Sequence, residues 1–332
     1  MTAVRGMSNS APLDPDAAQY LLSRGDQPIV PFNAAGIKML RRRLKTLDNA
    51  DRLPHVEVGH VVHDSVAGRT RPIPLRRYLS DALPEGPQPV ILFFHGGGWV
   101  AGDLDSHDAI CRQMVKASGT QLIAVDYRLA PEHPFPAAVE DAIDSYAMLL
   151  ARANEWSIDT DRIAVMGDGT GGTLASVVSI HARDMCQPVP VSQLLFYPVT
   201  DMVQESASFT ANVGPPGCMT AALPWLYGQY LGKHGNAGDW RASPLHVHSM
   251  AGMPPTFIAV GDRDPLYDEA VAFADRLYKA GVATQLRALP GQIHDYLSIG
   301  GVIGEAKRSL DAAAGFLRTL IDARPSRRRR SA

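Results

Sequence analysis

Three short stretches of this chain hold the residue types that covalent chemistry requires. The first is Phe94-His95-Gly96-Gly97-Gly98-Trp99. Three consecutive glycines leave bare backbone N–H groups free to converge on one point, the geometry that holds a developing oxyanion. The second is Pro290-Gly291-Gln292-Ile293-His294, to be read with Asp264 upstream. A histidine oriented by a carboxylate can act as a general base. The third is Gly167-Asp168-Gly169-Thr170-Gly171, which follows the apolar run Ile163–Met166 and opens onto small and β-branched residues. A strand that reverses so tightly into a helix places the middle residue of the turn at φ > 0 on the rim of a sheet. In a turn of the form Gly-x-Ser-x-Gly that middle residue is a serine, which attacks an acyl carbon. Here it is Gly169. The residues for acyl transfer are in place except for the nucleophile.

These residues need a scaffold, and the apolar pattern supplies one. Buried-type bursts recur at Val90–Phe94, Leu122–Val125, Ile163–Met166, Leu194–Phe196, Phe257–Val260 and Thr284–Leu289. Helical segments lie between most of them (Ala109–Ala117, Ala137–Asn154, Thr173–Ala182, Glu269–Ala280), and Ala306–Ile321 closes the chain. That alternation predicts an α/β fold with a mostly parallel sheet and helices on both faces. Two strand-like stretches before it, Val56–His63 and Ile73–Tyr78 with Gly68 between, predict an edge hairpin. Two helical segments precede that hairpin, the second with Ile37, Leu40 and Leu44 on one stripe. Residues 202–245, rich in proline and aromatics, break the rhythm and read as an insertion over the carboxyl ends of the strands, where open α/β sheets bind ligands. The expected organisation is a disordered lead (1–12), N-terminal cap helices (13–50), core (51–201), cap insertion (202–245), core (246–323) and a solvated basic tail (324–332).

In that frame Asp264 and His294 each follow a strand and sit beside the turn at Gly169, in the order turn, acid, base. Asp262 and Asp268 are rivals for the acid. His95 reads as a brace for the glycine loop, and Asp126, Arg128 and Glu132 as a polar network beneath the site.

Composition narrows the function classes. The 332 residues are 45% apolar and 20% charged with a formal charge of −2, which argues against nucleic acid or acidic lipid as the main partner. The three cysteines (Cys111, Cys186, Cys218) have no metal-ligand spacing and cannot all pair within the chain, so no metal or other cofactor is expected. No run approaches the ~20 apolar residues of a membrane span. The polar N-terminus lacks a signal peptide's apolar core, so a cytoplasmic location is expected. The expected partner is a small-molecule ester or related ligand. The oligomeric state is open, a homo-oligomer included.

Taken together, His95-Gly96-Gly97-Gly98-Trp99, Asp126-Tyr127-Arg128-Leu129-Ala130-Pro131-Glu132, Gly167-Asp168-Gly169-Thr170-Gly171-Gly172, Asp264-Pro265-Leu266 and Pro290–His294 resemble, in order, the motifs of the hormone-sensitive-lipase-like family of bacterial esterases and lipases. The resemblance covers roughly residues 13 to 322. It implies an α/β-hydrolase fold with a helical cap. By it, the N–H groups of Gly97, Gly98 and Thr170 form the oxyanion hole, Asp264 is the acid, His294 the base and Gly169 stands at the nucleophile position. The cap would shape an acyl pocket, for which Trp99, Trp225, Tyr227 and Tyr230 are the candidates; so compact a cap suggests short or medium acyl groups.

No neighbour replaces the serine convincingly. The Thr170 hydroxyl should point away from His294, Ser176 and Ser179 lie inside the following helix, and Asp168 precedes the turn. Three readings follow. The chain is a carboxylic-ester hydrolase whose serine has been replaced, by engineering or recent loss. Alternatively, it is a lyase or isomerase using the His294–Asp264 dyad as general base; Thr170, where the family usually has alanine, points that way. Or it is a ligand-binding protein, as is the plant gibberellin receptor with its similar fold and cap.

Overall fold

The computed structural model describes residues 12–24, 31–46, 50–81, 85–204, 206–212 and 222–324. Eight strands form its sheet: β1 (His60–Ala67), β2 (Pro72–Leu79), β3 (Gln88–Phe94), β4 (Gln121–Val125), β5 (Ile158–Asp168), β6 (Ser192–Phe196), β7 (Thr256–Gly261) and β8 (Thr284–Leu289). Their order is β1-β2-β4-β3-β5-β6-β7-β8. The pairings β1/β2 and β2/β4 are antiparallel and the other five parallel. This is the mostly parallel α/β sheet expected, and each apolar burst named above lies in a strand of it. Strands β3, β4, β6 and β7 are buried at every position, as a sheet covered on both faces requires.

The covering helices are α3 (Asp108–Ser118), α4 (Ala137–Ala151), α5 (Thr170–Asp184), α8 (Tyr267–Lys279) and α9 (Glu305–Asp322). Helix α3 packs with α9, and α4 with α5. In α9 the buried residues Leu310, Ala313, Ala314, Leu317 and Ile321 recur at helical spacing and form the stripe that meets the sheet. Helix α5 is buried along nearly its whole length, and small residues let it approach the strands closely. At Gly171 a Cβ would fall 1.9 Å from the Phe94 carbonyl oxygen. That contact is to backbone, so Gly171→Ala should destabilise the fold by on the order of 3 kcal/mol; a urea midpoint unchanged from the parent would contradict this packing.

The hairpin departs from its expected position. The first strand starts at His60, not Val56, and runs to Ala67, with Val66 opposite Ile73. As the sheet edge it is mostly exposed, so its alternation carries little signal. Near its start, Gly59 lies so close to Ser80 that a Cβ there would fall 2.9 Å from its carbonyl oxygen.

Among the described residues four further α-helices are present: α1 (Pro15–Arg24), α2 (Ala34–Lys45), α6 (Ala207–Asn212) and α7 (Leu223–Leu231). The Asn33 side chain caps α2 by accepting from the N–H groups of Ala35 and Gly36. Arg41 ties this helix to the sheet, donating to the carbonyls of Val100 and Ala130 and pairing with Glu132 at 2.6 Å. Helix α7 is joined to the N-terminal segment by Trp225, which stacks on Phe32 at 5.7 Å. The expected lead before Pro12, the basic tail beyond Arg324, Cys218 and the Pro215-Pro216 pair lie outside the described residues. Of the remaining thiols, Cys111 is buried and Cys186 exposed. Among the described residues no helix is long and apolar enough to cross a membrane.

Candidate functional site

The turn between β5 and α5 carries Gly169 at φ 50°, ψ −116°. Its N–H donates to the Phe196 carbonyl and its own carbonyl accepts from Val199, so the strained turn is clamped between β5 and the end of β6. A Cβ added at this position would meet the His294 Nε2 at 3.9 Å and the Tyr197 ring at 4.0 Å, ordinary contact distances. Space for a side chain therefore exists directly beside the imidazole.

His294 is carried in the loop after β8. That loop is held by Asp262, whose Oδ1 accepts from the Gly291 N–H at 2.7 Å. Asp264 turns back from the end of β7, its Oδ1 accepting from Leu266 N–H and its Oδ2 lying 2.7 Å from His294 Nδ1. Asp268 instead accepts from the Ser208 N–H. Of the three acidic candidates only Asp264 reaches the histidine. Burial disfavours the charged imidazole, but the charge and hydrogen bond of Asp264, with the nearby Asp295 and Asp168 carboxylates, more than offset it, and the His294 pKa is raised above its ordinary value. With Nδ1 engaged by Asp264, Nε2 faces position 169, the arrangement of an oriented general base.

The glycine loop follows β3. Gly97 and Gly98 adopt φ of 117° and 67°, conformations glycine enters without strain. The Gly97 carbonyl accepts from both Val100 and Ala101, closing the loop on itself. Among the described residues no hydrogen bond takes up the N–H of Gly97, Gly98 or Thr170. Thr170 is the first residue of α5, where the helix leaves its N–H groups without internal partners. Its hydroxyl is buried and makes no hydrogen bond, to His294 or to any other described residue.

His95 braces this loop. Its ring stacks on Tyr127 at 4.3 Å, and Nδ1 lies 2.7 Å from the Gly96 carbonyl oxygen. Burial, with His107 alongside, lowers its pKa to about 4, so it stays neutral at pH 7. Asp126, Arg128 and Glu132 do not form one network: Arg128 pairs with Asp141 and Glu140, whereas Glu132 pairs with Arg41.

A cavity of about 30 Å³ joins these groups, lined by the glycine loop, Gly169, Thr170 and His294. Its apolar walls are Leu44 of α2, Leu223 and Leu226 of α7, Val199 and Tyr197. The four aromatics expected there lie elsewhere. Trp99 is fully buried and stacks on Tyr230 at 4.0 Å, Tyr227 meets Trp99 edge-on at 6.2 Å, and Trp225 stacks on Phe32. Stacking with each other draws these rings out of the lining, and leucines take their place.

Several lining residues escaped sequence reasoning. Asp168 lies under the glycine loop, accepting from Gly96 N–H at 3.0 Å and facing His107 Nε2 at 3.4 Å. Asp295 also lines the cavity, at φ 62°, with its carboxylate accepting from Ser298 at 2.6 Å. Burial raises its pKa. Tyr197, at φ 38°, packs edge-on against His294 at 4.9 Å. The only sequence signal for these is adjacency: Asp168 beside the turn, Asp295 beside the base. Non-glycine residues in the left-handed region gather at functional sites, and Trp99, Tyr197 and Asp295 all flank this one.

Comparison with known proteins agrees with the geometry. A family model described as alpha/beta hydrolase fold matches residues 91–298. Esterase LipI of Mycobacterium tuberculosis is 36% identical over 299 residues, 88% of this chain and 92% of its own length. An ethyl acetate hydrolase of Pseudomonas putida is 34% identical over 311 residues, 90% of this chain and 96% of its own. The structure of a hyperthermophilic esterase from Pyrobaculum calidifontis superposes with a TM-score of 0.86 at 31% identity, covering 93% of this chain and 99% of that one. Sheet order, the tight turn at Gly169, the pairing of His294 with Asp264 and the relatives agree: the chain belongs to the α/β-hydrolase fold family.

Proposed function

We propose that this protein is a carboxylic-ester hydrolase scaffold for short or medium acyl esters whose nucleophile position holds Gly169, so that it does not turn over esters through an acyl-enzyme. One observation carries the reading: a side chain at position 169 would begin 3.9 Å from the His294 Nε2, in otherwise open space. In this reading the N–H groups of Gly97, Gly98 and Thr170 receive the ester's carbonyl oxygen, His294 is the base and Asp264 holds its tautomer. Helices α1 and α2 with α6 and α7 form a cap, through which Leu44, Leu223 and Leu226 bound the acyl side. A cytoplasmic location and a small-molecule ester as ligand accord with the composition and the relatives' activities.

The test is turnover of p-nitrophenyl acetate and butyrate by the chain beside Gly169→Ser. The reading expects serine-type turnover only in the variant. A variant that folds and stays inert on every simple ester would favour instead a lyase or isomerase run by the His294–Asp264 dyad, or a ligand-binding role.

The leucine wall makes a separate prediction. A Cβ on Gly98 would fall 2.7 Å from Leu226 Cδ1, so this leucine covers the glycine loop. In the Gly169→Ser background, Leu226→Ala should shift preference from acetate toward longer acyl chains by about tenfold in kcat/KM ratio, the worth of one or two methylenes in an apolar pocket. An unchanged ratio would remove Leu226 from the acyl side.

A further inference from the structure

We propose that the chain hydrolyses activated carboxylic esters without a covalent intermediate, a water molecule beside Gly169 attacking the carbonyl carbon while His294 Nε2 removes its proton. The inference rests on the ester-hydrolase reading above and adds a reaction to it. The base is poised without any help from a serine: Asp264 holds Nδ1 at 2.7 Å, and Nε2 is directed at the volume a side chain would fill. That volume opens on a cavity of about 30 Å³, ample for a water molecule, which needs ~10–15 Å³ of this kind. No other side chain competes for the role. The buried Thr170 hydroxyl makes no hydrogen bond to His294 that could activate it, and Ser176 and Ser179 donate to the carbonyls of Gly172 and Ala175 within α5.

The step balances with water alone. One proton of water passes to Nε2 as the new C–O bond forms, and the carbonyl electron pair moves onto oxygen beside the N–H groups of Gly97, Gly98 and Thr170. Collapse of that intermediate breaks the bond to the alkoxide, which takes the proton back from Nε2. The products are a carboxylic acid and an alcohol, and the imidazole returns neutral. A triad stripped of its serine retains about 10³–10⁴-fold acceleration over water through binding and the oxyanion hole. To that floor His294 adds general-base catalysis of the water's attack, typically worth about 10²–10⁴-fold.

The experiment compares p-nitrophenyl acetate hydrolysis by the chain, His294→Ala, Gly169→Ala and Gly169→Ser, with pre-steady-state traces and intact-mass spectra. The chain should run more than about 10³-fold above buffer, with no burst and no acyl adduct. His294→Ala should lose about 10²-fold or more and keep only what binding and the oxyanion hole supply. Gly169→Ala, whose methyl occupies the water's place, should lose at least about tenfold while its circular dichroism matches the parent. An acyl adduct, or hydrolysis as fast in His294→Ala as in the chain, overturns the proposal. If Gly169→Ser gains acyl turnover while the chain is no faster than His294→Ala, the water route falls and the reading of the site stands. If chain and variant are both inert, both fall.

Discussion

Gly169→Ser is expected to raise p-nitrophenyl acetate turnover at least about 10³-fold above that of the parent chain, with a burst and an acyl intermediate. The magnitude follows from how triads behave: loss of the serine alone removes about 10⁶ in kcat, and its return restores most of that where the rest of the machinery stands. Here the base, its carboxylate and the unpaired N–H groups of the glycine loop are all present. A single oxyanion donor is worth ~2.7–4 kcal/mol in the transition state, and the loop offers more than one. Sterically the new side chain begins at ordinary contact distance from His294 and Tyr197. Against it stands the backbone at φ 50°, where any residue with a Cβ is strained by roughly 1–3 kcal/mol. The clamps from Phe196 and Val199 hold that conformation whatever residue occupies it, so the expected penalty is a lower melting temperature rather than a collapsed turn. A folded variant with no gain on acetate, butyrate or hexanoate esters would refute the account.

The second large effect is expected from Asp264→Asn in the Gly169→Ser background: a loss of about 10³–10⁴ in kcat, comparable to the same exchange in a serine protease triad. An asparagine amide at 2.7 Å from Nδ1 can stabilise the wrong tautomer and cannot neutralise an imidazolium. The pH profile separates this from simple disruption. His294 must be neutral to accept a proton, so activity appears as pH rises through its pKa. Burial lowers that pKa, and Asp264, followed by Asp295 and Asp168, raises it, with a net elevation above 6.5. The acidic limb of kcat/KM should therefore have its midpoint above 6.5 when Asp264 is present, and the midpoint should move down when the carboxylate is gone and burial acts without it. A limb that stays in place would mean another group titrates.

The sheet was legible from the sequence because β3, β4, β6 and β7 are buried at every position and each carries an apolar run, as does the second half of β5. The edge strand β1 was misplaced by four residues because its side chains are mostly exposed and tertiary pairing, not pattern, sets its ends. The dyad could be read because Asp264 and His294 must follow strands whose positions the apolar bursts fix. The sequence already favoured Asp264 over its rival Asp262, which in the structure serves the Gly291 N–H. The acyl wall could not be read. Trp99, Tyr227 and Tyr230 are the conspicuous residues of that region, yet a stack 4.0 Å apart turns two of them inward, and Leu44 reaches the site from a helix more than a hundred residues upstream. Asp295 was invisible for a different reason: no spacing rule separates a strained cavity carboxylate from an ordinary loop aspartate.

The account's central claim is that the site lacks only a nucleophile at position 169. Exposure of both chains to an activated alkyl phosphonate, followed by intact-mass and peptide mass spectrometry, tests it most directly, because an adduct requires a nucleophile beside His294. The account predicts no adduct on the chain that carries Gly169 and one stoichiometric adduct, at position 169, on Gly169→Ser. A stoichiometric adduct on the Gly169 chain, at Thr170 or any other residue, would contradict it.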